Sequence, residues 1–155
     1  MKKIIPPHHN KSREVTNADM FRIIEDCASM QAIVGGECIA LAHAQIEDKD
    51  PLRFFVTKNG EVIINPKITR HVNYTVDSLE GCMTFPENKK GVTVQRWRKI
   101  DVEFQTIING ELSEILTEQF VGLQSFMFQH EIDHFDGKYC YEEHNKDMQG
   151  TNLQS

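Results

Sequence analysis

The sequence lacks long apolar runs, closely spaced cysteine pairs and an excess of positive charge. Its longest apolar runs fall far short of the roughly 18 residues that indicate a membrane span. The stretch MKKIIPPHHN has Pro6 and Pro7 where a secretory signal has its apolar core. The formal net charge of the 155 residues is -6, so a broad basic face for nucleic acid is not expected. These absences predict a cytoplasmic protein with no membrane segment and no direct nucleic-acid specificity.

The cysteines are few and widely spaced. The chain has four of them, at Cys27, Cys38, Cys82 and Cys140, and no two form a C-x-x-C motif. In a cytoplasmic chain this pattern indicates buried thiols or metal ligands rather than a disulfide framework. Any of the four is therefore a candidate ligand for a soft or borderline metal ion.

One short region is rich in basic residues. It contains Lys89, Lys90, Arg96, Arg98 and Lys99. A run of charge says little about fold, and we interpret this one as a solvated strand edge or loop. The alternative is a local basic patch on an otherwise acidic protein.

The length fits a single domain over residues 1–155. Residues 1 to about 15 are rich in proline, histidine and charge, which predicts an irregular arm. The last ten residues or so, from about 146 to 155, predict a flexible tail. Between them, Thr16 and Asp19 have the spacing of a capping box, so a helix is expected to start there. Met20, Ile23, Ile24 and Cys27 follow with helical spacing, and Gly35-Gly36 is expected to end the helix.

The middle of the chain has β-strand character. Short apolar runs (CIALA, RFFV, EVIIN and HVNYTV) are separated by Asn59-Gly60, a hairpin signal, and by Asn65-Pro66, a predicted break. Apolar and polar residues alternate over Ile100–Ile108, which predicts one half-buried strand. Asn109-Gly110 then predicts a second hairpin, with a short strand near 112–116.

The last strong element is a predicted helix from about Thr117 to Phe135. Its apolar stripe consists of Phe120, Leu123, Met127, His130 and His134, at steps of three and four. Both histidines therefore continue the apolar face of the helix. The expected fold class is α+β, with antiparallel sheets packed around this central C-terminal helix and with an N-terminal helix.

The predicted helix carries the H-E-x-x-H pattern at His130, Glu131 and His134. Positions four apart lie one above the other on a helix, so both imidazoles can face one metal ion. The alternative is a buried pair of histidines satisfied by hydrogen bonds. A catalytic site usually has three protein ligands. Downstream candidates for the third are Asp136, Glu142, Glu143 and His144, but none has the spacing of the metzincin motif; upstream, Cys82 stands in the turn EGC.

Three motifs together resemble the peptide deformylase family. EGCMT, containing Cys82, resembles the family motif E-G-C-L-S, and QHEIDHFDG resembles Q-H-E-x-D-H-L-x-G. ALAHAQ, from Ala40 to Gln45, resembles G-L-A-A-P-Q and occurs in the expected order. The resemblance covers roughly residues 16–145. The short C-terminus is similar to that of compact, phage-encoded versions, which implies that ribosome contact is missing or weak.

The resemblance implies a metal-dependent reaction. Cys82, His130 and His134 would hold one divalent ion per chain, with Fe(II) as the working ion and zinc, nickel or cobalt as substitutes. The metal would lower the pKa of a water in the fourth position, and that water would attack the formyl carbon. Glu131 resembles the general base, which later acts as the acid. Gln45 and the backbone N–H of Met83 resemble the two donors to the oxyanion. The reaction would remove the formyl group from N-terminal formyl-methionine of nascent peptides and release formate.

The resemblance also implies a substrate site and supporting residues. The matching substrate-binding positions are Ile39, Ala40, Glu80, Gly81, Leu123, Phe126 and Met127. Leu123 and Met127 are alternatively simple core residues. Glu80, two residues before Cys82, and Asp133, inside the helix motif, are candidates to orient a metal ligand by hydrogen bonding; the alternative for Asp133 is a helix salt bridge. The expected partners are N-formylmethionyl nascent peptides, in a bacterial or phage-infected cytosol, and the expected state is a monomer.

Some positions depart from the family pattern. Ala40, His43 and Ala44 replace a glycine, an alanine and a proline or other small residue, and Lys89 takes roughly the place of an arginine that helps fix the substrate backbone. If the stretch is extended, His43 shares a face with Gln45, from which it would reach either substrate or solvent, and solvent exposure is expected for it. Two other functions remain open: a zinc endopeptidase, which would not need Cys82, and a deformylase-like binding module without catalysis.

Overall fold

A computed structural model of the chain describes residues 1–35, 38–87 and 90–142. Within these ranges there are two α-helices, nine strands and short 3-10 turns at Asn17–Asp19 and His43–Gln45. The elements are α1 (Met20–Ile33), β1 (Ala40–Ala42), β2 (Phe54–Thr57), β3 (Val62–His71), β4 (Thr75–Glu80), β5 (Val92–Trp97), β6 (Lys99–Gln105), β7 (Ile107–Ile108), β8 (Glu111–Leu112), β9 (Leu116–Val121) and α2 (Leu123–Phe135). The predicted tail at 146–155 lies outside the described residues.

The strands form three antiparallel sheets. The largest has the order β1-β2-β3-β6-β9, and β4-β5 and β7-β8 are separate two-stranded pairs. Helix α2 contacts β1 and β9 of the large sheet and also β5 of the smaller one. The predicted α+β class, with antiparallel sheets around a C-terminal helix and with an N-terminal helix, is confirmed. Among the described residues, neither helix is long and apolar enough to cross a membrane.

The N-terminal helix begins at the predicted capping box. The backbone N–H of Thr16 donates to the Asp19 carboxylate at 2.9 Å, and the 3-10 turn 17–19 leads into α1. Met20, Ile23 and Met30 are buried against the core. Ile24, which has helical spacing with these residues, is 50% exposed. Met20, Ile23 and Met30 lie on the side of the helix that faces the core. Ile24 directly follows Ile23 and therefore points to a neighbouring, exposed side.

The predicted strand break at Asn65-Pro66 is wrong, because β3 continues through both residues. The register with β6 shifts between Ile64 and Lys67, and Asn65 has a positive φ of 52°. This irregularity is a β-bulge, a place where a proline does not interrupt a ladder of hydrogen bonds. The Asn65 side chain accepts from Val15 N–H at 2.8 Å and donates to Val15 O at 3.0 Å, which holds the bulge against the N-terminal arm.

The boundaries of the last strands and of α2 also differ from expectation. The alternating strand ends at Gln105, not at Ile108, because Ile107 and Ile108 pair with β8. The hairpin predicted at Asn109-Gly110 is confirmed, as is the one at Asn59-Gly60 between β2 and β3. The predicted helix start at Thr117 is wrong. Residues 116–121 pair with β6 as β9, and α2 starts only after Gly122.

An aromatic cluster fixes α2 on the large sheet. Phe128 stacks on Phe120 of β9 at 4.0 Å and meets the edge of Phe55 of β2 at 5.2 Å. Phe104 and Phe135 complete the group, and all five rings are buried. Because the stripe of α2 that packs here contains Phe128 and Phe135, Leu123 does not belong to it and is 82% exposed.

Residues 1–15 contain no helix or strand, yet they are hydrogen-bonded to the 3-10 turn His43–Gln45 and to the end of α2. Ile5 N–H donates to Gln45 O at 2.9 Å, and Ser12 N–H donates to Phe135 O at 2.7 Å. The Tyr139 hydroxyl bonds both the N–H and the C=O of His8. At Gly137, where φ is +74°, an added Cβ would lie 2.6 Å from His9 O, so only glycine permits this close approach. We call residues 5–12 the N-terminal strap.

We expect Phe128→Ala to lower the free energy of unfolding by about 3–5 kcal/mol, because it removes a buried ring from the aromatic cluster and leaves a cavity. The matched control is Phe21→Ala on α1. Phe21 is 85% exposed, and its loss should change stability by no more than about 0.5 kcal/mol. Urea unfolding of both variants measures the difference; equal effects would contradict the packing described.

Candidate active site

Three candidate metal ligands converge at one end of the β4–β5 pair. Cys82 follows β4, and His130 and His134 lie one turn apart on α2. The ligand atoms of the three residues lie within 4.8 Å of one another, and Cys82 Sγ is 3.7 Å from His134 Nε2. The structure therefore brings together the two histidines and the distant cysteine.

Hydrogen bonds aim both imidazoles at this point. His134 Nδ1 donates to the backbone carbonyl of Lys138 at 3.0 Å, which leaves Nε2 with the lone pair that faces Cys82. His130 Nδ1 donates to Glu80 Oε1 at 2.8 Å. Burial, and then the neighbouring His130, lower the pKa of His134 well below its ordinary value and favour its neutral form. Two imidazole nitrogens and one sulfur form a donor set that fits a borderline divalent ion such as Fe(II) or Zn(II).

A second group of donors overlaps the first. Glu80, His130 and Cys140 also have ligand atoms within 4.8 Å of one another. Both oxygens of Glu80, however, already accept hydrogen bonds, from Arg96 and from His130. Because these bonds occupy Glu80, the group with Cys82 is the better candidate for a metal ion.

Arg96 links the two segments that carry the candidate ligands. Its guanidinium forms a bidentate pair with Glu80 of β4 at 2.8 and 2.7 Å, and it contacts Asp133 of α2 at 2.6 Å. Although burial acts to raise the pKa of Glu80, the hydrogen bonds from Arg96 and His130 outweigh it and hold this pKa at about 2. Arg96 is only 7% exposed, so its interpretation as part of a solvated basic run is wrong. The sequence did contain a signal for this burial. Every second residue of a strand faces the same side, so Arg96 shares the buried face of β5 with Val94, two residues before it.

Glu131 is a buried carboxylate beside the candidate ligands. It is 3% exposed, and its Oε1 atom has no hydrogen-bond partner among the described residues. Burial is the main cause that raises its pKa to about 7. An unpaired buried carboxylate oxygen is costly in a structural role, and it is available to accept a proton from a bound molecule.

Gln45 is held with its amide nitrogen toward the candidate ligands. Its Oε1 accepts from Ala42 N–H at 2.9 Å, so Nε2 points the other way and donates to Thr84 Oγ1 at 3.1 Å and to Cys82 Sγ at 3.4 Å. The sequence gives no sign of this contact with Thr84, because nothing local connects two residues 39 positions apart. The predicted solvent exposure of His43 is wrong: the side chain is fully buried beneath the turn.

The positions predicted for a substrate site differ widely in exposure. Met83 is 40% exposed in a turn closed by Phe85 N–H and Cys82 O at 2.9 Å. Ile39 is also exposed, whereas Ala40 is buried. On α2, Phe126 and Met127 are half-buried and Leu123 is almost fully exposed.

Two of the downstream residues considered as ligands pair with other side chains. Asp136 pairs with Arg53 at 3.3 Å, and Glu142 contacts His9 at 2.9 Å. Glu143, His144 and Lys89 fall outside the described residues. Gly81, which precedes Cys82, has open space apart from the Tyr141 hydroxyl, 3.8 Å from where a Cβ would stand.

A profile of the polypeptide deformylase family matches residues 3–149. The chain belongs to the polypeptide deformylase family. This family implies a divalent metal ion, and the cluster of Cys82, His130 and His134 supplies a donor set for one.

Individual relatives agree with the family match. A peptide deformylase of Rhizobium meliloti is 34% identical over 130 residues, which are 80% of this chain and 70% of that protein. One from Thermotoga neapolitana is 39% identical over 88 residues, or 55% of this chain and 50% of the relative. The chain thus spans about half the length of the curated Thermotoga relatives that it matches.

Solved deformylase structures resemble the fold over nearly the whole chain. The crystal structure of the Thermotoga maritima peptide deformylase superposes with a TM-score of 0.73 at 28% identity, over 92% of this chain and 97% of the other. A probable peptide deformylase from Synechococcus phage S-SSM7 gives 0.71 at 27% identity, over 92% and 99%. The Plasmodium falciparum enzyme, at 21% identity, gives 0.76 over 96% and 93% and supports the fold alone.

We expect Arg96→Met to lower the free energy of unfolding by about 3–5 kcal/mol, because it leaves the buried carboxylate of Glu80 and the half-buried carboxylate of Asp133 without their countercharge. Arg98→Met, two residues away and exposed, is the matched control and should change stability by no more than about 0.5 kcal/mol. Denaturant unfolding at neutral pH compares the two. A loss no larger for Arg96 than for Arg98 would show that the buried ion pairs do not hold the site together.

Proposed function

We propose that this protein removes the N-formyl group from the N-terminal formyl-methionine of nascent polypeptides and releases formate. One observation carries the proposal. On a deformylase fold, the sulfur of Cys82 and the imidazoles of His130 and His134 converge next to the unpaired carboxylate oxygen of Glu131 and the oriented amide of Gln45. These are the parts that hydrolysis of a small amide requires.

Cys82, His130 and His134 would hold one divalent ion per chain. Fe(II) is the proposed ion in the cell, with zinc, nickel or cobalt as substitutes, because a thiolate and two imidazoles suit all of these metals. When bound, such an ion supplies Lewis acidity and lowers the pKa of water toward neutrality. Glu80, with both oxygens engaged, would orient His130 rather than contact the substrate.

Glu131 would act as the proton carrier. Its unpaired Oε1 accepts a proton as a water oxygen adds to the formyl carbon, and the same atom returns that proton to the departing nitrogen. The C–N bond breaks, the hydroxyl stays on carbon, and the products are formate and a free N-terminal amine. The reaction requires no oxidant and no further cofactor.

Gln45 and the backbone N–H of Met83 would stabilise the negative charge that develops on the formyl oxygen. The Gln45 amide needs no rotation to do so, because Ala42 N–H already holds its oxygen end. Two neutral donors act through fixed orientation, since they do not have to reorganise as the charge appears.

We place the proposed methionine pocket between the ALAHAQ segment and α2. Phe126 and Met127 would form one wall, and Ile39, Ala40 and Gly81 would lie near the substrate backbone. Leu123 is so exposed that it can contribute only at the rim. The proposed setting is the cytosol of a bacterium or of a phage-infected cell, where the protein acts as a monomer on nascent chains with weak or no ribosome contact.

The direct test is formate release from formyl-Met-Ala-Ser after anaerobic loading with Fe(II). Catalytic release of formate, over many turnovers per protein molecule, supports the proposal. A non-catalytic binding module would bind the peptide without releasing formate, and an endopeptidase would cleave internal peptide bonds instead. The second possibility is checked by mass analysis of the products formed from an unformylated peptide.

We expect Cys82→Ala to lose tight metal binding, because two imidazoles alone leave the site one protein ligand short. Cys27→Ala is the matched control, since Cys27 is a half-buried thiol on α1. Metal content after dialysis, measured by elemental analysis, should fall in the first variant and stay near one per chain in the second. Full occupancy of Cys82→Ala would exclude Cys82 as a ligand.

We expect Glu131→Gln to keep its metal and to lose about 10²–10⁴-fold in kcat, because the amide cannot accept the proton from water. Glu118→Gln, an exposed change on β9, should leave kcat and metal content unchanged. The formate assay and elemental analysis on the same preparations provide both readouts. Wild-type turnover in a metal-loaded Glu131→Gln protein would assign the base to another group.

A further inference from the structure

The 3-10 turn that carries Gln45 rests on a buried imidazole. His43, the first residue of the turn, is fully buried and stacks on Phe54 with ring centroids 4.7 Å apart. Its Nδ1 accepts the backbone N–H of Leu52 at 2.9 Å. Because an N–H can only donate, the ring proton must be on Nε2, and Nε2 donates to Asp26 Oδ2 at 2.8 Å. Burial lowers the pKa of His43, despite Asp26, and so favours this neutral form.

Asp26 is a buried carboxylate with compensated charge. It lies on the inner face of α1, and the ammonium group of Lys2 contacts its Oδ2 at 3.0 Å. Burying a carboxylate is unfavourable unless it is paired and hydrogen-bonded. The arrangement of Lys2, Asp26 and His43 meets that condition, and it connects the N-terminus and α1 to the turn.

The turn depends on contacts from outside itself. A single 3-10 turn has poor internal hydrogen bonds and little stability of its own. The N-terminal strap binds its outer side: Ile5 N–H donates to Gln45 O at 2.9 Å, and His8 Nε2 donates to Ala44 O at 2.7 Å. His43 is the only side chain of this turn that anchors it from the inner side through bonds to both α1 and Leu52.

We propose that His43 and Asp26 are positioning residues that hold the Gln45 amide in line with Cys82 and Thr84. This proposal rests on the proposed function of Gln45 as an oxyanion donor. His43 does not contact substrate, since it is fully buried. It acts through Gln45, two residues along the same turn, whose Nε2 lies 3.1 Å from Thr84 Oγ1 and 3.4 Å from Cys82 Sγ.

The test uses His43→Phe, which keeps an aromatic ring against Phe54 and removes both hydrogen bonds. We expect kcat for formyl-Met-Ala-Ser to fall about tenfold or more, which is part of the 10²–10³-fold expected for complete loss of an oxyanion donor. KM should change by less than about threefold, because the donor acts mainly in the transition state. Metal content should stay at the wild-type level. Asp26→Asn, which keeps the shape and removes the charge, should give a smaller fall in kcat in the same direction.

A double-mutant cycle separates positioning from general stability. Gln45→Leu alone should lower kcat about 10²–10³-fold. If His43 acts through Gln45, adding His43→Phe to Gln45→Leu should change kcat by less than about twofold. Full additivity of the two losses would overturn the proposal. Ile23→Val, a buried change on the same helix as Asp26, is the control: it should lower Tm and leave kcat within about twofold.

A second readout does not depend on turnover. The side-chain amide resonances of Gln45, recorded by NMR on the zinc-loaded protein, should shift in His43→Phe and stay in place in Ile23→Val. Unchanged Gln45 resonances in His43→Phe would overturn the positioning role even if activity fell. If the wild-type protein released no formate, the proposed function would fail, while the Gln45 resonances would still decide whether His43 positions this amide.

Discussion

The guanidinium of Arg96 joins the pieces of the site. It projects from β5 and bonds Glu80, two residues before Cys82, and Asp133, on the helix that carries both histidines. The strand pair that leads to the cysteine and the helix that carries the histidines are therefore joined through this buried cation. Glu80 extends the same network to His130, so an ion pair that looks structural also sets the direction of a candidate ligand. The aromatic cluster behind α2 supplies the opposing surface, and the helix is fixed from both sides.

The features predicted correctly from the sequence are those that depend on local geometry. Two histidines four apart must share a helix face, and Asn-Gly between apolar runs must turn, whatever the rest of the chain does. The α2 boundary failed for the opposite reason. Phe120 and Leu123 fit a helical spacing, but residues 116–121 find a partner strand in β6, and pairing at a distance overrides a local pattern.

Polar residues that become buried were the hardest to predict. Arg96 and His43 both looked like solvated groups, and each proved to be enclosed with its hydrogen bonds satisfied by distant residues: Glu80 and Asp133 for one, Asp26 and Leu52 for the other. Nothing local in the sequence identifies such partners. Cys82 was a candidate as a cysteine in the turn EGC, but only the resemblance of its motif linked it to the two histidines, because no spacing rule connects it to residues about fifty positions downstream. The pocket residues on α2 remain predictions for the same reason.

The N-terminal strap has a consequence for how the protein is made. The bonds between His8 and Tyr139 join residues 131 positions apart in sequence. Residues 5–12 must therefore wait until Tyr139 has been synthesised before they can dock against it. Contacts of such long sequence separation form slowly, because a large loop has to close first. The strap that covers the turn bearing Gln45 is thus fully docked only after Tyr139 has been synthesised, and a protein proposed to process nascent chains completes these contacts only once its own chain has reached that residue.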